Sequence, residues 1–148
     1  MRRSVATVWF AAAQFAIVLG GAAVLQPSMI GSASAHDAET VKQIFAQQLP
    51  NVPGNSMTAF VVEYEPGGKG ASHHHSGSVF AYVLEGEIRS QISDGQPAKV
   101  YKAGEFFYEP PGSDHLVSEN ASATKPAKLL AVFVASDDAV LTAPGVNN

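Results

Sequence analysis

Three of the five histidines stand in a row at positions 73 to 75, shortly before an apolar run. On an extended strand alternate side chains share one face, so His73 and His75 point the same way and His74 points the opposite way. Two imidazoles about 7 Å apart along a strand can converge on one metal ion. They need at least one further ligand from another strand to hold it. His36 and His115 are the other histidines, and the elements that position them decide which one completes the site.

The first 35 residues have the three parts of a secretory signal peptide. Arg2 and Arg3 precede an almost charge-free, largely apolar run that ends in the small residues Ala33 and Ala35. We expect cleavage after Ala35, which would export a mature chain of residues 36–148 to the periplasm or the extracellular space. The alternative is a retained N-terminal membrane anchor, because the apolar run approaches the length of a spanning helix.

The charge pattern limits the class of partner. All 13 acidic residues follow residue 35, together with only seven of the nine basic ones, so the mature chain would carry a net charge of −6. The basic residues are scattered singly, which argues against a nucleic-acid partner and against stable association with an anionic membrane. The sequence has no cysteine, which excludes disulfides, thiolate metal sites and cysteine nucleophiles. We therefore expect a small molecule as the partner.

The mature chain opens with a segment whose pattern predicts a short helix, followed by a loop that ends at residue 56. Asp37 is a candidate N-cap, and Pro50 ends the helix. The apolar residues between them recur at helical spacing, namely Val41, Ile44, Phe45 and Leu49. We expect this apolar face to pack on the domain.

The rest of the chain has the pattern of an all-β domain over residues 57–135. Short apolar or alternating segments are separated by turn residues every eight to twelve positions, which indicates a barrel or sandwich. The predicted strands are residues 57–64, 79–84, 87–92, 98–101, 105–108, 114–118 and 127–134. The remaining residues, 136–148, are small and polar and are predicted to form a loosely held tail.

Two spaced motifs resemble those of the cupins, which are small jelly-roll β-barrels. The first cupin motif is Gly, five residues, His-x-His, three or four residues, Glu, six residues, Gly. The second is Gly, five residues, Pro-x-Gly, two residues, His, three residues, Asn. This sequence matches the first motif at Gly67, His73, His75 and Gly86, and the second at Gly104, Pro110, Gly112 and His115. The resemblance spans roughly residues 60–134 and makes His115 the third expected metal ligand.

The sequence departs from the two motifs at one position each. Val79 stands where the first motif has its glutamate, and Glu119 stands where the second has its asparagine. The asparagine is not a metal ligand in the family, but the glutamate is. The resemblance therefore implies a three-histidine site at His73, His75 and His115 with one coordination position left in question.

The residues just before the second proline motif offer candidates for that position. Glu109 ends an apolar aromatic run, where a buried carboxylate is costly without a partner. It is predicted to be a fourth ligand or a general base, or else a strand-end residue that faces solvent or pairs with Arg89. Tyr108 beside it is a candidate catalytic hydrogen-bond donor, or a packing residue. His74 is expected at the surface, and His36 would chelate copper only as a new N-terminus.

The resemblance also implies a function. Three histidines suit Fe(II), Zn(II), Cu(II), Ni(II) and Mn(II), and some cupins use a three-histidine iron site for dioxygen-dependent cleavage, so Fe(II) is the favoured metal. We expect an exported, metal-binding, dioxygenase-like oxidoreductase that acts on a small molecule and, by its similarity to the family, forms a homodimer. The alternatives are a non-catalytic module that binds a small ligand or a metal, and a metal-free, isomerase-like cupin.

Overall fold

Ten β-strands make up the regular structure of residues 38–145, which is the part of the chain that the computed structural model describes. The predicted signal peptide at residues 1–35 and His36 lie outside the described residues. The strands are β1 (Glu39–Gln48), β2 (Asn55–Tyr64), β3 (His73–His74), β4 (Ser78–Glu85), β5 (Glu87–Ile92), β6 (Lys99–Lys102), β7 (Phe106–Glu109), β8 (Asp114–Asn120), β9 (Ala127–Ser136) and β10 (Ala143–Pro144).

The strands form two antiparallel sheets of five strands each. Sheet A has the order β1-β2-β9-β4-β7, and sheet B has the order β10-β3-β8-β5-β6. Most neighbours within a sheet are not consecutive in the chain, so the connections cross from one sheet to the other as they do in a jelly roll. The all-β jelly-roll prediction is confirmed. Within the described range no segment forms a helix long and apolar enough to cross a membrane.

The alternation of side chains along the strands of sheet A creates the core. On β4 the residues Val79, Ala81 and Val83 are buried, and on β9 every second residue from Ala127 to Ala135 is buried. Ile88 of sheet B is fully buried against the same cluster. Because side chains alternate across a strand, one face of each sheet packs inward and the other faces out.

The helix predicted at the start of the mature chain is wrong. Residues 39–48 form strand β1, which pairs antiparallel with β2 at the edge of sheet A. The register of this pair shifts between Gln43 and Phe45, as at a β-bulge. A bulge places one extra residue in the strand and breaks the alternation of two. The apolar residues Val41, Ile44 and Phe45 fall at helical spacing in the sequence, but all three are exposed on the strand. The expectation that they form a face packed on the domain is therefore wrong as well.

Gly86 carries the chain from sheet A to sheet B between β4 and β5. Its φ is +72°, a conformation that glycine adopts easily and other residues rarely do. A Cβ atom at this position would lie 2.5 Å from the carbonyl oxygen of Pro126. This crossing lets β4 and β5, which are adjacent in sequence, pack in opposite sheets.

Candidate metal centre

The pairing of strands in sheet B brings the three histidines that were predicted as metal ligands together. His73 on β3 pairs directly with His115 on β8, and His75 follows β3 by one residue. One ring nitrogen from each of the three residues lies within 4.8 Å of the others. The centroid of the His73 ring is 4.7 Å from that of His75 and 5.0 Å from that of His115. His74 points away, to Asp114, with its Nδ1 atom 3.9 Å from the carboxylate.

Backbone carbonyl groups fix the tautomers of His73 and His75. The Nδ1 atom of His73 lies 2.7 Å from the carbonyl oxygen of Ala71, and that of His75 lies 3.0 Å from the carbonyl oxygen of Leu141. A carbonyl oxygen only accepts hydrogen bonds, so both Nδ1 atoms carry the proton and donate it. The Nε2 lone pairs of both rings are therefore available to the cluster, as in metal sites whose ligands are oriented by outer hydrogen bonds.

The two rings are neutral at neutral pH. Burial lowers the pKa of His73 and of His75 below the ordinary histidine value. Desolvation disfavours the charged imidazolium, and the neutral imidazole is the form that ligates a metal.

His115 is oriented by a side chain rather than by the backbone. Its Nε2 atom is 2.9 Å from the hydroxyl oxygen of Ser90, which is buried on β5. Its Nδ1 atom is consequently the nitrogen that faces Glu109, whose Oε2 atom lies 3.2 Å away. Ser90 thus holds the His115 ring through Nε2, which leaves Nδ1 as the nitrogen that can bind a metal.

Glu109 lies inside the site. Only 3% of its surface is exposed, and its Oε2 atom also lies 3.7 Å from Nε2 of His75. Oε2 has no hydrogen bond of good geometry with any residue that the structure describes. Burial by itself would raise the pKa of Glu109, but the neighbouring histidines, His115 above all, hold that pKa below its ordinary value. The side chain is therefore a buried carboxylate anion.

This placement contradicts two of the interpretations offered for Glu109. The residue does not face solvent, and it does not pair with Arg89. The Arg89 guanidinium instead donates to Glu119 on the neighbouring strand, with Nη1 and Oε1 2.7 Å apart. A ligand and a general base are the two roles that remain for Glu109.

Tyr108 does not belong to the site. Side chains alternate along β7, so Tyr108 points to the outer face of sheet A while Glu109 points inward. About half of the tyrosine surface is exposed, and its hydroxyl shares a hydrogen bond of 2.9 Å with that of Ser78. It therefore does not contact a ligand held beside the histidines.

The histidines open onto a cavity of about 440 Å³ between the sheets. Part of its wall is apolar and comes from sheet A, namely Phe60, Val62, Val79, Leu129, Ala131 and Phe133. This volume is within the range of about 300–1,000 Å³ that is typical of sites for small molecules. The apolar wall would exclude water and accept an apolar part of a ligand.

A second polar group lines the same cavity and was not predicted from the sequence. The hydroxyl groups of Tyr64 and Ser118 share a buried hydrogen bond of 2.7 Å, and Glu39 lies beside them along the wall. Burial raises the pKa of Glu39 above its ordinary value, although the charge of His115 opposes this. The sequence did contain a signal for Tyr64, because it is the last inward-facing residue of β2.

The donor atoms in this cluster fit a divalent transition metal. Three imidazoles, two of them with Nδ1 bonded to backbone carbonyls, stand beside a buried carboxylate oxygen that has no hydrogen-bond partner among residues 38–145. Imidazole nitrogen suits iron, zinc, copper and nickel, and a carboxylate broadens the set to manganese. The residues therefore match the kind of site that the sequence motifs imply.

Comparison with known proteins agrees with the fold. The cupin domain profile (Cupin_2) matches residues 60–133, which is half of the chain. None of the proteins with curated functions that we compared matches the chain significantly.

Several solved structures share the fold at low identity. A conserved protein with a double-stranded β-helix domain from Klebsiella pneumoniae is 21% identical, with a TM-score of 0.58, over 78% of this chain and 96% of that one. The polyketide cyclase RemF from Streptomyces resistomycificus is 18% identical, with a TM-score of 0.57, over 76% and 74% of the two chains. The DMSP lyase DddQ from Ruegeria pomeroyi is 18% identical, with a TM-score of 0.58, over 73% and 52%. These likenesses concern the fold alone. The profile match, which covers half of the chain, shows that the chain belongs to the cupin domain family.

Proposed function

We propose that this cupin is a metal-dependent enzyme that acts on a small molecule, and that its chemistry is that of a dioxygenase-like oxidoreductase. The observation that carries the proposal is the convergence of three imidazole nitrogens within 4.8 Å beside a cavity of small-molecule size. His73, His75 and His115 would hold the metal, and Fe(II) is the favoured ion.

Each group of the cavity has a part in this proposal. When bound, Fe(II) supplies Lewis acidity and one-electron chemistry with dioxygen. The histidines orient that ion, because their outer nitrogens are fixed by Ala71, Leu141 and Ser90. The wall formed by sheet A excludes water from the reacting groups. The paired hydroxyls of Tyr64 and Ser118 offer a hydrogen bond to a polar atom of the substrate.

We infer that the substrate is a chelating molecule, such as a dicarbonyl compound, with an apolar part. A three-histidine site leaves coordination positions open for two oxygen atoms of one molecule. The cavity beside the site has more apolar than polar wall, and it would hold a molecule of a few carbon atoms beyond the chelating group.

A non-redox reaction is the second candidate, and the burial of Glu109 favours it. A carboxylate held at 3.2 Å from an imidazole can serve as a general base. The fold also occurs in proteins named as a cyclase and a lyase, although these share only the fold with this chain. A non-catalytic binding module and a metal-free, isomerase-like cupin are the remaining alternatives.

Dioxygen uptake by tag-free protein separates the dioxygenase, the non-redox enzyme and the binding module. The protein is loaded anaerobically with Fe(II) and mixed with a panel of small dicarbonyl compounds in an oxygen electrode, with His115→Ala as the control. Uptake by the wild type that the control lacks supports the dioxygenase. Product formation without uptake supports the non-redox reaction. Bound metal with no turnover of any compound supports the binding module.

We also propose that the protein is exported, on the strength of residues 1–35 alone. The test is intact mass and N-terminal sequencing of protein recovered from the periplasm or medium of an expressing bacterium. A mature chain that begins at His36 is expected. Full-length protein that stays in the membrane fraction would instead favour the retained anchor.

A further inference from the structure

We propose that Glu109 is the fourth ligand of the metal and that it replaces, from the neighbouring strand, the glutamate that the first cupin motif places at residue 79. This inference rests on the proposed metal site at the three histidines. It decides between the two roles that burial leaves open for Glu109, namely ligand and free general base.

The register of β4 and β7 places the two positions side by side. Val79 and Glu109 are direct cross-strand partners. Directly opposed residues of an antiparallel pair project from the same face with their Cβ atoms about 4.5–5.5 Å apart. Both side chains are buried and both line the cavity that holds the histidines. A glutamate at either position can therefore bring its carboxylate to the same small volume.

The distances around Glu109 match those between ligands that share one ion. Its Oε2 atom lies 3.2 Å from Nδ1 of His115 and 3.7 Å from Nε2 of His75. Two ligand atoms that are each about 2.1 Å from one metal are about 3.4 Å apart when the geometry is tetrahedral. The observed distances lie on either side of that value, so one ion can touch all three atoms with small adjustments.

The burial of the Glu109 carboxylate favours a bound cation in the site. The Glu109 carboxylate is buried, and its Oε2 atom has no hydrogen-bond partner among the described residues. The nearest groups to this atom are ring nitrogens of His115 and His75. Arg89 and Lys69 both form salt bridges with Glu119, on the outside of sheet B. A buried charge without a counter-charge is costly, and buried charges are therefore paired or bound to metals. A divalent ion among the histidines would supply the missing charge.

The test uses Co(II) alone as a spectroscopic probe, with tag-free full-length protein. Four proteins are compared: the wild type, Glu109→Gln, His115→Ala, and a swap variant that combines Val79→Glu with Glu109→Val. The swap variant moves the carboxylate to the position that the family motif gives it. Affinity is measured by competition with a chromophoric chelator, and the coordination shell is followed by the visible d–d spectrum. Circular dichroism checks that each variant is folded.

We expect Glu109→Gln to lose affinity for Co(II) on the order of 100-fold or more, because even outer-shell changes cost about 10- to 100-fold. Its d–d spectrum should change, and the swap variant should recover most of the affinity. An unchanged affinity and spectrum in Glu109→Gln would overturn the inference, as would lost affinity with an unchanged spectrum. Should the swap variant not fold, the Glu109→Gln result alone decides.

The outcomes also separate this inference from the proposed function. Wild-type protein that binds no Co(II), or that binds it as well after His115→Ala, would overturn both. Loss of Co(II) in His115→Ala with no change in Glu109→Gln would overturn only the role of Glu109, and would leave a three-histidine site with water at the open position.

Discussion

The three histidines are each held by a different part of the chain. Ala71 lies before β3, Leu141 lies after β9, and Ser90 lies within β5. Hydrogen bonds of this kind fix the tautomer and the direction of a metal ligand. The three histidines are therefore oriented by groups that are not themselves proposed metal ligands.

Ser90 provides the residue-scale test of this idea. Ser90→Ala removes the hydrogen bond to Nε2 of His115 and leaves every ligand in place. We expect the affinity for Co(II) to fall about 10- to 100-fold, as for other outer-shell partners. Ser78→Ala is the matched control, since its hydroxyl bonds to Tyr108 on the outer face of sheet A. Equal affinities for the two variants would show that the serine contact does not orient the ring.

The candidate metal ligands could be predicted from the sequence, but the groups that orient them could not. The spacing of the motifs identified His73, His75 and His115, because it determines which residues of neighbouring strands lie side by side. Glu109 was a candidate for a different reason, namely that a carboxylate at the end of an apolar run is costly to bury without a partner. Ser90 and the carbonyl of Leu141 gave no such signal, since a serine in an alternating strand and a backbone group in a polar tail look ordinary. The tail was predicted to be loose, yet β10 pairs with β3 and the residues before it contact His75.

At the scale of elements, a hydrogen bond between Tyr64 on β2 and Ser118 on β8 joins the two sheets across the cavity. Burial raises the pKa of Tyr64 above its ordinary value, so its hydroxyl stays protonated and available to this contact. Tyr64→Phe would leave the buried hydroxyl of Ser118 without that partner. We expect it to lower the free energy of unfolding by about 1–2 kcal/mol.

Urea denaturation of Tyr64→Phe and of a matched control, Tyr108→Phe, measures this effect. The hydroxyl of Tyr108 also bonds to a serine, but on an exposed face where water can replace it. The control is expected to stay within about 0.5 kcal/mol of the wild type. A loss of the same size in both variants would contradict a role for the inter-sheet contact.

The crossing between the sheets gives a second prediction at this scale. Gly86→Ala would force a Cβ against the carbonyl oxygen of Pro126 in addition to the strain of a positive φ. We expect a cost of about 3 kcal/mol or more in the free energy of unfolding. Gly95 also has a positive φ, but it has open space around it. Gly95→Ala should therefore cost only about 1–2 kcal/mol, and similar costs in the two variants would show that the close approach is relieved.

Most strands were predicted well, including β4 and β8, whose pairings shift in register, but β1 was not. The predicted segment 87–92 coincides with β5, and most others differ only at their ends. In β1 the apolar residues Val41, Ile44 and Phe45 fall at helical spacing without sharing a buried face, and that spacing predicted the wrong element. In β8 the register shifts opposite Gln91 and Ile92, so that His115 and Ser118 both point inward although they are three residues apart. A bulge depends on the partner strand, which the local sequence does not reveal.

At the scale of the whole molecule, the outer face of sheet A carries an aromatic patch formed by Phe80, Phe106 and Tyr108. All three side chains are substantially exposed, and the rings of Phe80 and Phe106 lie 5.6 Å apart. Exposed apolar patches of this kind mark interaction sites. We propose that a second copy of the chain covers the patch, since a two-fold axis would place the same rings against each other.

Light scattering coupled to gel filtration tests the proposed homodimer. Wild-type protein is expected at twice the mass of the chain, and Phe106→Lys should shift it towards the mass of one chain. Val140→Lys serves as the control, because Val140 is also an exposed apolar residue but lies in the loop between β9 and β10. A monomeric wild type, or a dimer that survives Phe106→Lys, would contradict this assignment of the interface.

The central claim is that His73, His75 and His115 form a resident metal site, and elemental analysis tests it most directly. The protein is purified without a histidine tag, and its transition-metal content is measured for the wild type and for His115→Ala. We predict a stoichiometric amount of one divalent transition metal in the wild type, with Fe(II) favoured, and its loss in His115→Ala. A wild-type protein that contains no metal, or a His115→Ala variant that retains it, would contradict the claim.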